Sequence, residues 1–324
     1  PDSSGMYFDT NKSFYLAHQR LSIIDLSKNG SQPMESFRGR FIIAFNGEIY
    51  NHKELKNENE EFITEIKSQS DCEIIIQMYK KYGIYSTCKK LDGVFSFILY
   101  DKKLDKVFVA RDPYGVRPLF IGTTDNNEIL LCSEMKPISH LCEKINSFKP
   151  GQYAVIDNKK NITYTEYHDY NFKFNNDSEQ TIKETIQKLL SESVDKRLMS
   201  DRPIGCLLSG GLDSSLISAL VARNYAPNTL NTFSIGMKGS TDLKYAKMAA
   251  EHIKTKHHNI ELTTEDFLNA IEETIYVIES YDITTVRASV GNYLVGKYIK
   301  ENTDCKVIYN GDGSEEIMGS YLWL

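Results

Sequence analysis

The chain has 324 residues, of which 41% are hydrophobic and 25% are charged, a composition that excludes a disordered protein. Lys and Arg total 38 against 44 Asp and Glu, and the net charge of −6 gives no electrostatic basis for nucleic acid or an anionic membrane as the main partner. At roughly 150 residues per domain, the length predicts two domains.

The apolar runs and the cysteines exclude two further classes of protein. Runs such as 94–100 are much shorter than the roughly 20 apolar residues that a transmembrane helix requires. The six cysteines are scattered, with no Cys-x-x-Cys pair and no histidine at ligand spacing. This pattern predicts reduced thiols rather than a zinc site or a disulfide framework, and therefore a cytoplasmic protein.

The first half of the chain is predicted to be rich in short strands. Apolar runs predict strands at 41–45, 94–100, 106–110 and 119–122, and helical spacing of apolar residues predicts a helix over 71–82. Strands this short and this close together favour antiparallel sheets, and with the helix they predict an α+β fold.

The second half of the chain has a different pattern, which begins after a polar segment at 171–179. Strands are predicted at 204–208, 230–235, 259–262 and 306–309. Helices are predicted around 182–194, 214–223, 242–254, 265–280 and 289–300. This alternation predicts a doubly wound parallel sheet, whose ligands bind at the carboxyl ends of the strands. We therefore expect two domains of the α/β class overall, at 1–172 and 177–324.

The most specific motif follows the predicted strand 204–208. It consists of Ser209, Gly210, Gly211, Leu212, Asp213, Ser214 and Ser215. Glycines allow the backbone to turn tightly against a polyphosphate, and hydroxyls and helix-opening N–H groups point at the anion. A carboxylate such as Asp213 would repel phosphate unless a divalent cation lies between them, so the motif predicts Mg²⁺. The alternative is an ordinary strand-to-helix turn with a polar cap.

Four fragments of the first half also carry charged and turn-forming residues. They are 17–25, 46–51, 70–73 and 111–119. Each has a structural explanation when taken alone: Asn46-Gly47 is a hairpin signal, and Asp71 is a candidate helix N-cap.

Together, these fragments and their order resemble the glutaminase domain of class II amidotransferases. The loop at 209–215 resembles that of enzymes that adenylate a substrate and release pyrophosphate, and the combination resembles the glutamine-hydrolysing asparagine synthetases over essentially the whole chain. The resemblance implies an N-terminal Ntn-hydrolase-like sandwich of antiparallel sheets, followed by a doubly wound ATP-pyrophosphatase domain.

The resemblance implies a glutamine site in the first domain. Arg20 would bind the α-carboxylate of glutamine, and Glu48 and Asp71 would hold its α-ammonium. Asn46 and Gly47 would form the oxyanion hole. The pocket would also be lined by Leu21, Ser22, Ile23 and Ile24. The family's nucleophile is an N-terminal Cys, which is absent from this sequence, and we expect the chain to be truncated at both ends.

The resemblance also implies a synthetase site in the second domain. ATP would contact Leu208, Ser209, Gly210, Gly211, Asp213, Ser214, Ser215, Ile235, Asn310 and Gly311. Aspartate would contact Thr284, Thr285 and Arg287. Asp213 and Glu315 would hold Mg²⁺, and Asp312 would aid formation of β-aspartyl-AMP. The family form of 310–316 is commonly SGEGSDE, from which Asn310, Asp312 and Glu315 depart.

The implied function is ATP-dependent amidation of aspartate to asparagine, with ammonia from glutamine and release of AMP, pyrophosphate and glutamate. The expected partners are these small substrates and a second copy of the chain in a homodimer, with no nucleic acid and no membrane. Two alternatives are a β-lactam-synthetase-like adenylating enzyme and a non-catalytic homologue.

Overall fold

The computed structural model describes residues 1–9, 11, 14–59 and 66–319. The chain divides into two compact units, Pro1–Asn176 (unit 1) and Asp177–Leu324 (unit 2). Within the described residues, no helix combines the length and the hydropathy needed to cross a bilayer.

Unit 1 contains eleven described strands and two described helices. The strands are β1 (Ser3–Asp9), β2 (Phe14–Arg20), β3 (Met34–Ser36), β4 (Phe41–Ile49), β5 (Gly93–Asp101), β6 (Lys106–Arg111), β7 (Phe120–Thr123), β8 (Ile129–Cys132), β9 (Lys144–Ser147), β10 (Gln152–Ile156) and β11 (Ile162–Glu166). The helices are α1 (His52–Asn57) and α2 (Glu73–Lys90). A six-stranded sheet in the order β11-β10-β6-β5-β4-β3 is antiparallel throughout, and β1-β2 and β8-β7-β9 form two smaller antiparallel sheets.

The six-stranded sheet buries both of its faces, because its strands alternate apolar residues to either side. On β4, Phe41, Ile43 and Phe45 belong to the core that contains the apolar residues of α2. Ile42 and Ala44 belong instead to the core that contains Leu16 of β2. Unit 1 is therefore layered as helix, large sheet and small sheets, as predicted for an antiparallel sandwich.

Two predictions for unit 1 differ from the structure. The strand predicted at 41–45 continues through Asn46 and Gly47 to Ile49, because these residues remain paired with β5. Asn46-Gly47 is therefore not a hairpin turn. Asp71 does not cap α2, whose N-cap residue is Cys72.

Unit 2 contains a four-stranded, fully parallel sheet in the order β14-β13-β12-β15. Its strands are β12 (Ile204–Leu207), β13 (Asn231–Met237), β14 (Lys256–Leu262) and β15 (Val307–Tyr309). Its helices are α3 (Glu179–Asp195), α4 (Leu212–Ala222), α5 (Thr241–Ile253), α6 (Thr264–Asn269), α7 (Ile271–Ile278), α8 (Ile283–Asn302) and α9 (Ser314–Met318).

Helices cover both faces of this sheet. Ile204 and Cys206 pack with α4, whereas Phe233 and Ile260 pack with Val295 on α8. The doubly wound parallel sheet predicted from the alternating pattern is confirmed.

Two helix boundaries in unit 2 differ from the prediction. The predicted helix 265–280 is divided at Ala270 into α6 and α7. The helix predicted from 289 begins at Ile283, because the Asp282 carboxylate accepts the N–H of Thr285 as an N-cap. Thr284, Thr285 and Arg287 therefore lie in the first turns of α8.

Candidate functional site

Beyond Ile43, one edge of β4 has no partner strand in the part of the chain that the structure describes, and side chains bind its backbone. β3 pairs only with Phe41 to Ile43. Beyond that point, the N–H of Phe45 donates to Gln32 Oε1 at 2.7 Å, and the N–H of Ile49 donates to Asp71 Oδ2 at 2.7 Å. The two-residue period of a strand places the Gly47 N–H on the same edge, between these two bonded groups.

The position of Gly47 requires glycine. Its φ is 150°, and a Cβ built on it would lie 2.0 Å from the carbonyl oxygen of Val94 on β5. Phe95, the residue opposite Gly47, turns both of its backbone groups to Asp112: its N–H donates to Asp112 Oδ2, and its carbonyl accepts the Asp112 N–H. No side chain among the described residues accepts from the Gly47 N–H, which suits it to donate to a bound group.

Two carboxylates flank this edge: Asp71 is buried, and Glu48 is half-buried. Burial and the charge of Asp71 raise the pKa of Glu48 to about 8. Burial also raises the pKa of Asp71, to about 6, although the N–H groups of Ile49 and Cys72 and the charge of Arg20 oppose this shift. Glu48 Oε2 is buried and has no hydrogen-bond partner among the described residues. A cation beside this pair would offset the burial of both charges.

Arg20 lies at the end of β2 and is only 6% exposed. Its Nη2 donates to the carbonyl oxygens of Ile24 and Asp25, and its Nη1 donates to that of Ser27. Both bidentate edges of a guanidinium share Nη2, so a ligand carboxylate would have to replace one of these carbonyls. Arg20 thus shapes the segment Leu21, Ser22, Ile23 and Ile24, in which Ser22 is buried and Leu21 is exposed.

The sequence did not identify Arg117 as a site residue, although the structure places it beside Glu48. The charge of Arg117 lowers the pKa of Glu48, and its own Nε is buried without a hydrogen-bond partner among the described residues. The loop that carries Arg117 is held by Asp112, which accepts the N–H groups of Tyr114, Val116 and Arg117. The only available signal was an arginine directly after a turn shaped by an aspartate.

In unit 2, the motif at 209–215 forms the connection between β12 and α4. Ser209 Oγ and Ser214 Oγ are 2.9 Å apart, and the Ser209 N–H donates to Ser214 Oγ at 3.2 Å. Gly210 has a φ of +84°, and a Cβ there would lie 2.4 Å from the backbone of Tyr245 and Ala246 on α5. The glycine therefore allows the loop to rest directly on the backbone of α5.

The structure brings the loop at 310–314 against this motif. β12 pairs in parallel with β15, so both loops emerge at the carboxyl edge of the sheet. A Cβ on Gly311 would lie 2.8 Å from Asp213 Cβ and 3.0 Å from the nitrogen of Ser214. Beside it, Asn310 Nδ2 donates to Asp312 Oδ2 at 2.6 Å.

A cavity of about 210 Å³ opens at the same edge of the sheet. It is lined by Leu207, Ser209, Ser234, Ile235, Asp242, Leu243, Ala288, Gly291, Asn292 and Val295. Ser209 and Ile235 were predicted as ligand contacts, whereas the sequence missed Ser234, Asp242 and Asn292. Their participation depends on α5 and α8 folding over the ends of β12 and β13, which no local motif reveals.

The residues that were predicted to bind aspartate do not line this cavity. Thr284, Thr285 and Arg287 are exposed on α8, and the Thr285 hydroxyl donates to Asp282 at 2.8 Å. Glu315 is exposed at the start of α9. Within the described ranges, no three carboxylate, histidine or cysteine side chains form a metal-binding cluster.

A glutamine amidotransferase domain model matches residues 1–190. The chain belongs to the glutamine amidotransferase domain family. An asparagine synthase model matches residues 185–324. Unit 1 is thus the amidotransferase part of this family member, and unit 2 corresponds to the second match.

Curated relatives resemble the family member over both units. The asparagine synthetases (glutamine-hydrolyzing) of Rattus norvegicus and Homo sapiens are 40% identical over 332 residues, and that of Gallus gallus is 41% identical over 333 residues. Each match covers 94% of this chain and 58% of the relative, so the chain spans less than two thirds of their length. A solved structure described as the allosteric regulatory enzyme of purine biosynthesis has 15% identity and a TM-score of 0.42, covering 91% of this chain and 75% of that one.

The raised pKa of Glu48 predicts how the stability of the protein depends on pH. Since the raised pKa of Glu48 makes the folded state hold a proton that the unfolded state has lost, stability should fall as pH rises from about 4.5 to 8. Urea-denaturation midpoints between pH 5 and 8.5 measure this slope, which Glu48→Gln should reduce. Glu128→Gln, at an exposed position, is the matched control. If the stability of Glu48→Gln depended on pH as steeply as that of the unmodified protein, Glu48 would not be the group that causes this dependence.

The close contact of Gly210 with α5 predicts how a substitution there changes the free energy of unfolding. Gly210→Ala combines a positive φ with a clash against α5, whereas Gly239→Ala has a φ of +81° and no atom within 4 Å of its new Cβ. We expect Gly239→Ala to cost about 1 kcal/mol of unfolding free energy, and Gly210→Ala to cost a further 1–3 kcal/mol or so. Urea denaturation of both variants separates backbone strain from the clash. Equal losses would show that the loop does not rest on α5 in solution.

Proposed function

We propose that this protein is a glutamine-dependent asparagine synthetase, which converts aspartate, ATP and glutamine into asparagine, AMP, pyrophosphate and glutamate. The observation that carries the proposal is the packing of the Asp213 loop against the Gly311 loop, beside the cavity at the carboxyl edge of the parallel sheet. Two loops and a cavity at this edge form a typical site for a nucleotide and its reaction partner. The names of the relatives support the same assignment.

In unit 1, the proposal assigns glutamine to the edge of β4. The α-ammonium of glutamine would bind Glu48 and Asp71, because a cation beside them would oppose the rise in the pKa of both carboxyls. Arg20 would take the α-carboxylate by exchanging one of its carbonyl bonds, and the residues from Leu21 to Ile24 would line the pocket. Asn46 Nδ2 and the Gly47 N–H would stabilise the oxyanion of the tetrahedral intermediate.

The proposal assigns the thiol nucleophile to none of the six cysteines. Cys72, the cysteine beside Asp71, is fully buried, and burial together with the charges of Asp71 and Glu73 raises the pKa of its thiol well above the usual value. A thiol in this environment is not a thiolate at neutral pH and does not attack an amide. In this family, the nucleophile is instead expected to be an N-terminal cysteine.

In unit 2, the proposal assigns the phosphates of ATP to the loop at 209–215. The N–H groups that open α4 and the hydroxyls of Ser209, Ser214 and Ser215 would bind them, with the nucleoside in the cavity beside Ile235 and with Leu208, Asn310 and Gly311 nearby. Mg²⁺, when bound, neutralises phosphate charge, and Mg²⁺ sites commonly use one or two carboxylates and the phosphates themselves, which fits Asp213 and Glu315.

The aspartate β-carboxylate would attack the α-phosphorus of ATP and displace pyrophosphate, and ammonia would then attack the acyl carbon, displace AMP and lose a proton to give asparagine. Adenylation provides the leaving group that a free carboxylate lacks. Thr284, Thr285 and Arg287 are proposed to bind aspartate, and Asp312 to assist formation of β-aspartyl-AMP. The homodimer is also part of the proposal and rests on the family resemblance alone, whereas the proposed cytoplasmic location rests on the cysteine pattern.

Glutamine binding should release protons. At pH 7 the Glu48 carboxyl, with its pKa raised to about 8, is mostly protonated, and the α-ammonium favours its ionised form. Affinity should therefore rise from pH 6 to about pH 8, where Glu48 becomes ionised while the α-ammonium still holds its proton. Glu48→Gln should weaken binding by tenfold or more, since a charged partner of the ammonium is lost. Isothermal titration in buffers of different ionisation enthalpy measures affinity and proton release together.

The control for this titration is Glu128→Gln, which should bind glutamine with unchanged affinity. Proton-neutral binding in the unmodified protein would contradict the assignment of the ammonium site to Glu48. Loss of affinity in both variants would point to a general effect of removing negative charge.

Asp213→Ala should reduce aspartate-dependent pyrophosphate release on the order of 100-fold, because a carboxylate that helps to hold the cation beside the phosphates is lost. The assay uses protein expressed from its complete coding sequence, with ATP, Mg²⁺, aspartate and ammonium. Asp304→Ala is the matched control, since Asp304 is exposed just before β15, at the opposite edge of the sheet. Wild-type pyrophosphate release by Asp213→Ala would overturn the proposed nucleotide site.

A further inference from the structure

A chain of hydrogen bonds crosses β13 and β14 and includes Ser234, one of the residues that line the cavity. Thr255 Oγ1 and Thr232 Oγ1 are 2.7 Å apart, and Thr232 Oγ1 lies 3.0 Å from His257 Nδ1. His257 Nε2 lies 3.0 Å from Ser234 Oγ, which donates to Asn259 Oδ1 at 3.3 Å. Ser234 is 95% buried by its neighbours and is one of the residues that line the cavity.

The direction of this chain is set at its end by Glu261. Asn259 Nδ2 donates to Glu261 Oε1 at 3.3 Å, and a carboxylate can only accept. The carbonyl oxygen of the Asn259 amide therefore faces Ser234 and accepts its hydroxyl hydrogen.

The hydrogen bonds of His257 run in the same donor-to-acceptor direction. Since the single hydroxyl hydrogen of Ser234 is used by Asn259, its oxygen accepts from His257 Nε2–H, and His257 Nδ1 accepts from Thr232. Burial and the neighbouring His258 lower the pKa of His257, so the imidazole stays neutral and keeps this tautomer.

A hydroxyl held in this way has only a lone pair left for a bond to a ligand. A ligand atom beside Ser234 must then be a hydrogen-bond donor, because a second acceptor there would be left unpaired and would cost binding free energy.

We propose that Ser234 is a specificity-determining residue that accepts a hydrogen bond from an N–H or O–H group of the bound nucleoside. His257 is the positioning residue that holds Ser234 as an acceptor. The inference rests on the proposed nucleotide site of unit 2. The donor would be either an exocyclic amino group of the base or a ribose hydroxyl, and ligand analogues separate these two sources.

The experiment measures the dissociation constants of four nucleotides for the complete protein and for Ser234→Ala by titration calorimetry. They are ATP, purine riboside triphosphate (without the amino group), 2′-deoxy-ATP and 3′-deoxy-ATP. Ser234→Ala should weaken ATP binding about tenfold and leave the affinity for the analogue that lacks the recognised donor unchanged. An equal effect on all four nucleotides, or no effect on any, would overturn the proposal.

The role of His257 is tested by the ratio of two dissociation constants, that of ATP and that of the analogue without the recognised donor. This ratio measures how well the protein discriminates between them. His257→Leu should reduce the discrimination several-fold, and His257→Gln should restore it, since the glutamine Nε2 can donate to Ser234. His258→Leu is the matched control, because His258 is the next residue of β14 and has other partners. Its ring stacks on that of Phe233, with 4.8 Å between the ring centroids, and its Nε2 is hydrogen-bonded to Asn231 Oδ1. Equal loss in both leucine variants would overturn the positioning role.

Failure of the inference is distinguishable from failure of the proposed function. If Asp213→Ala weakens ATP binding and Ser234→Ala does not, only the role of Ser234 is overturned. If the complete protein binds none of the four nucleotides, the proposed nucleotide site is overturned and the inference with it.

Discussion

The parallel pairing of β12 with β15 is the constraint on which the candidate site of unit 2 depends. It joins strands about a hundred residues apart in sequence, from Ile204 opposite Val307 to Cys206 opposite Tyr309. Because parallel strands end at one edge, the loops that follow must share space there, and a Cβ on Gly311 would reach Asp213. The two glycine-bearing loops are thus parts of one surface, with Gly210 fitted to α5 beneath it. Substitutions in one loop therefore bear on the other.

The candidate site of unit 1 contains charged groups whose loss of hydration lowers the stability of the folded protein. The strand edge left open beyond β3 is bound by Gln32 and Asp71, and Asp71 remains close enough to Glu48 to raise the pKa of that carboxyl. The two carboxyls lose hydration in the folded chain, as does Arg117 Nε, which has no hydrogen-bond partner within the described ranges, and each loss costs stability. An arrangement that is unfavourable alone and favourable with a cation is expected of a binding site.

The periodic parts of the fold could be predicted from the sequence, and the contacts between distant segments could not. Apolar runs at 41–45 and 204–208 predicted strands, because burial on both faces leaves a direct trace in the sequence. Asn46-Gly47 suggested a turn, yet pairing with β5 overrides this local preference and continues the strand. Ser234 and His257 carried no signal, since their roles depend on the register of β13 against β14.

The loop at 310–316 illustrates how two departures from the family form can be linked. Asp312 is one methylene shorter than the glutamate of that form, and Asn310 is longer than its serine. In the structure, Asn310 Nδ2 donates to Asp312 Oδ2 at 2.6 Å, a bond that a serine at 310 would be too short to reproduce with the same geometry. The asparagine therefore orients the shorter carboxylate through this bond. Taken one at a time, the changes at Asn310 and Asp312 argue against the family's chemistry. As a hydrogen-bonded pair, they keep an oriented carboxylate at the position where the family form has its glutamate.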